Sequence, residues 1–226
     1  MKQFLVRLVS MVFGLFLIGL GAVVNIKANI GYSPWEVLHV GMSNTFGISI
    51  GVAVIIAGII IVILVTALGE KFGLGSIICM FLTGMFIDII IGNDLVPLAG
   101  NLVVSMIMLI GGYFSIAFGT YFYIKSAFGT GPRDNLMVVL VRKTKLPVGL
   151  CRCIVELFVT LAGWIMGGMI GIGTVIAVIA IGPCVQVVFK LFRFDVSAVK
   201  HETIVETYTS LFGHKDRDGT NHTSGD

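Results

Sequence analysis

The chain has 226 residues, of which 57% are hydrophobic and only 12% are charged, with a formal net charge of +3. A soluble domain usually carries about 25% charged residues, so this composition argues against a soluble, disordered or basic nucleic-acid-binding protein. The 29 glycines fit a polytopic membrane protein instead, because glycine lets transmembrane helices approach each other closely.

Six segments are apolar enough to cross a hydrocarbon core about 30 Å thick, which takes roughly 20 helical residues. The first begins close to the N-terminus, and it is too long for the apolar core of a signal peptide, so we expect it to be retained. The expected fold is all-α, with spans over residues 4–26, 48–68, 74–92, 101–124, 148–167 and 173–192.

Two shorter apolar segments follow the first and the fourth span. Each opens with glycine and proline, and they cover residues 34–44 and 132–143. At about 1.5 Å per helical residue, both are half the length needed to cross a membrane. Proline suits the first position of a helix, so we expect two half-helices that begin at Pro34 and Pro132.

Lysine and arginine residues indicate the orientation of the spans, because cytoplasmic loops carry an excess of both. With six crossings, fourteen of the fifteen lie on one side of the membrane, and only Lys27 lies on the other. We therefore expect both termini to be cytoplasmic.

The sequence contains an internal repeat with an offset of 98 residues. Ile26–Glu36 aligns without a gap with Ile124–Asp134, and residues 73–76 align with residues 171–174. Pro97 lies in the polar connector between the copies. Eight pairs of glycines coincide at this offset: 14/112, 21/119, 31/129, 51/149, 69/167, 73/171, 75/173 and 84/182.

Each copy contains three crossings and one half-helix. Because three is odd, the second copy enters the membrane from the opposite side, which predicts an inverted repeat about an axis in the membrane plane. The expected organisation is a first membrane repeat over residues 1–92, a connector over 93–100, a second membrane repeat over 101–194 and a cytoplasmic tail over 195–226.

The two interrupted segments form the candidate substrate site, because such symmetric breaks mark the binding site in many transporters. The half-helix N-termini could bind an anion, or Glu36 and Asp134 could act there as ordinary capping carboxylates. The candidate substrate-binding residues are Lys27, Gly31, Pro34, Glu36, Lys125, Gly129, Pro132, Arg133 and Asp134.

Other polar residues lie within the spans or at their ends. Asp88 has a polar repeat equivalent, Gln186. Arg152 and Glu156 are four residues apart on one helical face, which favours an internal ion pair over a proton or substrate relay. The two lysines of the repeated motif either extend to the membrane interface or pair with the acidic residue of their own motif.

The sequence gives no indication of an enzyme, a metal site or a cofactor. The four cysteines form no CxxC pair and have no histidine at metal-ligand spacing, which favours a structural role. No HExxH segment, nucleophile elbow or pair of catalytic carboxylates occurs.

Small residues at helical spacing predict close helix packing, either within the bundle or in a homodimer. They are Gly163, Gly167 and Gly171 in one face and Gly111, Ser115 and Gly119 in another. In the tail, residues 204–212 have the pattern of a short amphipathic helix, and residues 213–226 have the composition of a disordered segment.

The segments Gly31–Val40, Gly129–Met137 and Gly84–Asp88 together resemble the bacterial YczE/YyaS/YitT group of multi-spanning membrane proteins, and the YczE type most closely. In that group, a glycine–proline or glycine–tryptophan stretch with an acidic residue follows an apolar span. The sequence differs from the pattern of that group at Arg133, where tryptophan is more usual. The resemblance implies a multi-pass protein of the bacterial cytoplasmic (inner) membrane, without an activity that carries over residue by residue.

These observations favour a transporter-like or permease-like protein for a small polar or anionic solute, in which two inverted copies rock about the interrupted segments. The alternative is a non-transporting accessory or regulatory membrane protein that scaffolds a partner. The cytoplasmic tail and the basic residues 142–145 motivate that alternative. Besides the lipid bilayer, the expected partners do not include nucleic acid.

Overall fold

The computed structural model describes residues 2–69, 74–128 and 131–194. Within these ranges the protein consists of eight helices and no strands. The helices are α1 (Lys2–Ala28), α2 (Pro34–Phe46), α3 (Ile50–Ala67), α4 (Leu74–Gly92), α5 (Leu102–Lys125), α6 (Pro132–Thr144), α7 (Val148–Ile165) and α8 (Ile172–Leu191).

Six of these helices are long and apolar enough to cross a membrane, which confirms the six predicted spans. The helices α2 and α6 are the two half-helices, and each has 13 residues. That length corresponds to about 20 Å, which is shorter than a hydrocarbon core. The predicted tail helix and Gly129 lie outside the described residues.

Local sequence sets the ends of both half-helices. Pro34 and Pro132 occupy the first helical positions, as predicted. Helix α2 ends at Gly47 in the left-handed conformation, with φ of 65°, and α6 ends at Lys145 with φ of 57°. Glycine adopts this conformation readily, whereas lysine does so at a small steric cost.

The second half of the chain repeats the backbone of the first half. Helices α6, α7 and α8 begin 98 residues after α2, α3 and α4, respectively. Asn29 and its equivalent Ala127 both have positive φ, at 54° and 59°. Gly69 and Gly167, which are also equivalent, have φ of 87° and 88°.

Helices α1 and α5 form the antiparallel centre of the bundle. A Cβ atom at Gly14 would lie 2.7 Å from the carbonyl oxygen of Gly119, and one at Gly21 would lie 2.6 Å from that of Gly112. These glycines therefore allow the two backbones to touch. Ser115 Oγ also donates a hydrogen bond of 2.8 Å to the carbonyl oxygen of Leu17.

The remaining helices pack around this pair. Helix α4 packs on α1, and α8 packs on α5. Each half-helix contacts the second span of the other half, so that α2 crosses α7 while α6 contacts α3. At the first crossing Gly41 lies against Gly163, and at the second the buried Val65 and Val139 belong to one cluster.

Backbone hydrogen bonds connect each broken segment to the other half. Gly173 N, at the start of α8, donates to the carbonyl oxygen of Ile30 at 2.8 Å. Gly75 N, at the start of α4, donates to the carbonyl oxygen of Phe128 at 3.0 Å. Gly31 has φ of 113° and lies against Gly171, so a side chain there would be both strained and obstructed.

The outer surface of the bundle carries large exposed apolar side chains on several spans, such as Ile60, Ile63 and Leu64 on α3 and Phe158 and Ile165 on α7. A water-soluble protein rarely exposes such contiguous patches. This surface therefore fits contact with the lipid bilayer.

The two predicted small-residue faces differ in outcome. Ser115 and Gly119 pack within the bundle, against α1, but Gly111 has no atom within 4 Å of the position of a Cβ. The face predicted for Gly163, Gly167 and Gly171 is wrong as a single helical face, because α7 ends at Ile165 and Gly171 precedes α8. A homodimer through these faces stays a prediction.

We expect Gly112→Leu to lower the thermal unfolding midpoint in detergent, because its side chain would collide with Asn25 and the carbonyl oxygen of Gly21. Overpacking of this kind costs about 1–3 kcal/mol. Gly111→Leu is the matched control on the same helix and should leave the midpoint unchanged. Equal midpoints for both variants would contradict the described packing of α1 on α5.

Candidate functional site

The first turn of α2 is built around Glu36. The backbone N–H of Ser33, just before the helix, donates a hydrogen bond of 3.1 Å to Glu36 Oε2. This geometry is that of a capping carboxylate at a helix N-terminus. Glu36 is buried, and this burial raises the pKa of its carboxyl group, although the Ser33 hydrogen bonds and the Arg133 charge oppose the shift.

The first turn of α6 meets the first turn of α2. The guanidinium carbon of Arg133 lies 4.5 Å from the centre of the Trp35 ring, in a cation–π contact. Arg133 and Trp35 are repeat equivalents, separated by 98 residues. The structure therefore brings together Glu36 and Arg133, two of the predicted site residues, and adds Trp35 to them.

His39 lies one turn after Glu36 on the same half-helix and is buried. Its Nε2 atom is 3.5 Å from Arg133 Nη2. Burial, together with the positive charge of Arg133, lowers the pKa of His39, so the neutral ring is favoured. A neutral ring can accept a hydrogen bond from the guanidinium.

Three buried polar side chains near the half-helices were missed by the sequence analysis. They are Asn25 on α1, Thr83 on α4 and Tyr123 on α5, and all three are buried. Asn25 lies beside the Glu36 carboxyl group. Tyr123 lies beside Cys79 and interacts with the charge of Asp134. Asn25 and Tyr123 are repeat equivalents, 98 residues apart. A polar residue at this position in both copies is the sequence pattern that could have identified them.

Thr83 belongs to a polar stripe on α4, a helix that is otherwise mostly apolar. The stripe consists of Ser76, Cys79 and Thr83, which share one helical face by their spacing. Asn135 Nδ2, in the first turns of α6, donates to Ser76 Oγ at 3.4 Å. The stripe therefore faces the α6 N-terminus. Its equivalents on α8, Thr174, Ala177 and Ile181, are mostly apolar.

Asp88 connects α4 to the N-terminus of α3. Ser49 Oγ donates to Asp88 Oδ2 at 2.5 Å, and Gly51 N donates to Asp88 Oδ1 at 2.8 Å. A Cβ atom at Gly51 would collide with the carbonyl oxygen of Gly84. Helices α3 and α4 are thus closely packed, and the Asp88 carboxylate caps α3.

The equivalent contact between α7 and α8 is open. Gln186, the equivalent of Asp88, is exposed and makes no hydrogen bond among the described residues. Gly149 and Gly182, the equivalents of Gly51 and Gly84, have no atom within 4 Å of the position of a Cβ. The glycines that allow α3 and α4 to touch are therefore repeated between α7 and α8, where no such contact is made.

Lys27 does not pair with Glu36, the acidic residue of its own motif. Its Nζ atom lies 3.2 Å from Oδ1 of the exposed Asp94, in the connector, rather than near Glu36. The reason is that α1 extends to Ala28 and places Lys27 beside this loop, where Ala99 N also donates to the Lys27 carbonyl oxygen. Lys125 Nζ donates to Tyr121 Oη at 3.1 Å, one turn earlier. Both lysines therefore contact groups outside the first turns of α2 and α6.

Arg152 and Glu156 form the predicted pair on α7. Arg152 Nε lies 2.8 Å from Glu156 Oε1, while half of the Arg152 side chain is exposed. The pair is therefore satisfied within one helix.

In the described ranges, no three histidine, cysteine, aspartate or glutamate side chains are arranged as a potential metal site. The four cysteines are free thiols.

The model of one protein family, described as "Family of unknown function (DUF6198)", matches residues 5–190. The chain belongs to this family. It is 35% identical over 187 residues to the "Uncharacterized membrane protein YczE" of Bacillus subtilis, covering 80% of this chain and 85% of that one. The YczE-type resemblance is thereby confirmed.

Two further relatives share most of their length with the chain. An "Uncharacterized protein" of Haemophilus influenzae is 30% identical over 176 residues, covering 78% of this chain and 80% of the relative. The "Uncharacterized protein YyaS" of Bacillus subtilis is 28% identical over 170 residues, covering 73% and 83%. No solved structure matches the chain.

Two substitutions of Glu36 distinguish its role as a helix cap from the effect of its charge. We expect Glu36→Ala to lower stability by about 0.5–2 kcal/mol, the usual cost of a lost cap. Glu36→Gln keeps an oxygen acceptor for Ser33 N and should retain most of that stability. The thermal unfolding midpoints of both variants in detergent measure this difference, and a midpoint for Gln as low as for Ala would contradict it.

Proposed function

We propose that this membrane protein is a transporter or permease for a small polar or anionic solute, and that its two halves rock about a central site. The observation that carries the proposal is the meeting of the two half-helix N-termini at Trp35 and Arg133. Broken helices that meet inside a bundle supply polar backbone and side chains where intact spans supply none. Glu36, Arg133 and Asp134 lie in these first turns.

We further propose that the halves form an inverted repeat. Contacts between repeat-equivalent residues support this, namely Leu17 with Ser115 and Trp35 with Arg133. In a two-fold arrangement, equivalent residues touch each other only at the axis. With three crossings in each half, such an axis lies in the membrane plane, and both half-helices then point their N-termini toward the midplane.

The unequal packing of the two halves supports a rocking motion. Gly51 and Gly84 close α3 on α4, whereas Gly149 and Gly182 leave α7 apart from α8. If the halves exchange these arrangements, α7 closes on α8 through its own glycines while α3 and α4 separate. Such an exchange would open the site to each side of the membrane in turn.

Purified protein in liposomes tests transport directly. Light scattering after an osmotic shock should report faster entry of at least one solute among glycine, sodium acetate, urea and glycerol than into protein-free liposomes. Glu36→Gln and Asp134→Asn should slow that entry, and Asp94→Asn, in the exposed connector, is the matched control. Entry no faster than into empty liposomes for every solute would contradict the proposal.

The proposed rocking motion can be tested where α7 and α8 stand apart, at Gly149 and Gly182. Gly149→Leu and Gly182→Leu should leave the unfolding midpoint unchanged, because each side chain has space in this arrangement. Overpacking by about 1–3 kcal/mol in the closed arrangement should lower its population, and with it the transport rate, by roughly fivefold to a hundredfold. Gly111→Leu, equally unobstructed but on the outer face of α5, should leave the rate unchanged. Normal rates in all three variants would exclude this motion.

We also propose that both termini are cytoplasmic and that the membrane is the bacterial inner membrane, on the lysine and arginine distribution. In a Cys153→Ser background, Asp94→Cys should react with an impermeant maleimide on intact cells. Lys143→Cys should react only after permeabilisation. The opposite pattern would invert the topology.

An enzymatic activity is not part of this proposal. The alternative of a non-transporting scaffold is motivated by the basic residues 142–145 and by the tail after residue 194, which lies outside the described residues. It stays a prediction.

A further inference from the structure

Glu36 is an ionisable side chain enclosed where the two halves of the protein meet. It is only 6% exposed. One of its oxygens accepts the hydrogen bond from Ser33 N, and the carboxamide of Asn25 lies beside it. Both neighbours are uncharged, whereas a carboxylate removed from water is costly without a charged partner. Burial accordingly raises the pKa of the Glu36 carboxyl group toward neutrality, so this group can bind and release a proton.

Several elements contribute titratable groups that face Glu36. Arg133 in α6, Tyr113 in α5 and Tyr32 just before α2 interact electrostatically with its carboxyl group. His39, one turn later on α2, lies against Arg133. The ring of His39 is neutral, because burial and the Arg133 charge lower its pKa. Among these groups, Arg133 is therefore the one that carries a full positive charge.

Among the described residues, the helices packed on α2 add no further charge beside Glu36. Helix α3 contains no titratable side chain. On α7, Arg152 and Glu156 pair with each other, and Cys184 on α8 interacts with Tyr113. The proton affinity of Glu36 therefore depends on its burial and on the position of Arg133.

Glu36 and Arg133 belong to different halves of the chain, which links a proton at Glu36 to the proposed motion. If the halves rock, both the burial of Glu36 and its distance from the guanidinium group change. A nearby guanidinium favours the carboxylate, and its withdrawal favours the protonated carboxyl group. Because such a linkage is reciprocal, a proton bound at Glu36 shifts the equilibrium between the two arrangements of the halves.

The two repeat-equivalent acids differ in their access to water. Glu36 is buried, whereas Asp134 is exposed. The closed contact at Gly51 lies at the start of α3, on the side of the membrane where α1 ends. The open contact at Gly149 lies at the start of α7, which the count of crossings places on the opposite side. An exchange of arrangements would therefore open the side of Glu36 and close the side of Asp134.

We propose that solute movement is coupled to a proton that binds to the carboxyl group of Glu36. When the side of α3 and α4 is open, the carboxylate takes the proton from a hydronium ion in the water there. One O–H bond forms on Glu36 and one O–H bond of the hydronium ion breaks. When the other side opens, the reverse step passes the proton to water on that side. This inference rests on the proposed transport function and adds its coupling ion.

Infrared difference spectroscopy on the full chain in liposomes tests proton binding without any solute. Between about pH 5 and pH 8, a range above the ordinary titration of glutamate, the protein should lose the carbonyl band of a protonated carboxyl group. Glu36→Gln should lack that change, because an amide does not titrate. Asp94→Asn, which removes an exposed acid of the connector, is the matched control and should keep it. An unaltered band change in Glu36→Gln would overturn the inference.

Liposomes loaded with the pH-sensitive dye pyranine test the coupling. In sodium-free buffer, a gradient of glycine, urea or glycerol is applied, and entry of a transported solute should be accompanied by a change in internal pH that empty liposomes do not show. In Glu36→Gln, entry should continue at a lower rate and the pH change should be lost. Asp94→Asn should retain both.

The outcomes separate this inference from the proposed function. Entry of a solute without a change in internal pH, or entry that requires sodium, would overturn the inference and leave the proposed function intact. A pH change that persists in Glu36→Gln would place the proton elsewhere and would also overturn it. If no solute of the osmotic test enters, both are overturned, even where the infrared band shows a proton at Glu36.

Discussion

The lipid bilayer supplies no water to backbone groups that a broken helix leaves unpaired, and the fold depends on how this constraint is met. The helix α1 stops before Ile30, and α5 stops before Phe128. Each of these two carbonyl oxygens accepts a hydrogen bond from the start of the last helix of the other half, at Gly173 and Gly75. At these two carbonyl groups neither half satisfies its own break, so the broken segments are held where both halves contribute.

Local patterns in the sequence accounted for most of the fold. Hydropathy identified the six spans because each span must be apolar along its own length. Pro34 and Pro132 located the half-helices because proline favours the first turn of the helix in which it lies. The offset of 98 residues recurs in the helix starts. It also relates residues that touch in space, such as Leu17 and Ser115.

Features that depend on the register between helices could not be predicted. Asn25 and Tyr123 each look like a tolerated polar residue in an apolar span, and only the antiparallel packing of α1 on α5 places them beside different half-helices. Lys27 pairs with Asp94 across 67 residues of sequence, and no local pattern links the two. Gly149 matches Gly51 in sequence, but one is open and the other closed, because the contact at a glycine depends on the helix packed beside it and not on its own sequence alone.

The contact between Arg133 and Trp35 limits how alike the two copies of the repeat can be. Where a repeated residue does not touch its counterpart, both copies can keep the same amino acid. At this contact the counterparts are neighbours, and two arginines would repel each other while two tryptophans would bring no charge. In a homodimer of identical half-length chains, this position would carry the same residue in both copies. An arginine could then not face a tryptophan there. Joining the copies in one chain removes that restriction, and it is here that the two motifs differ most in chemistry.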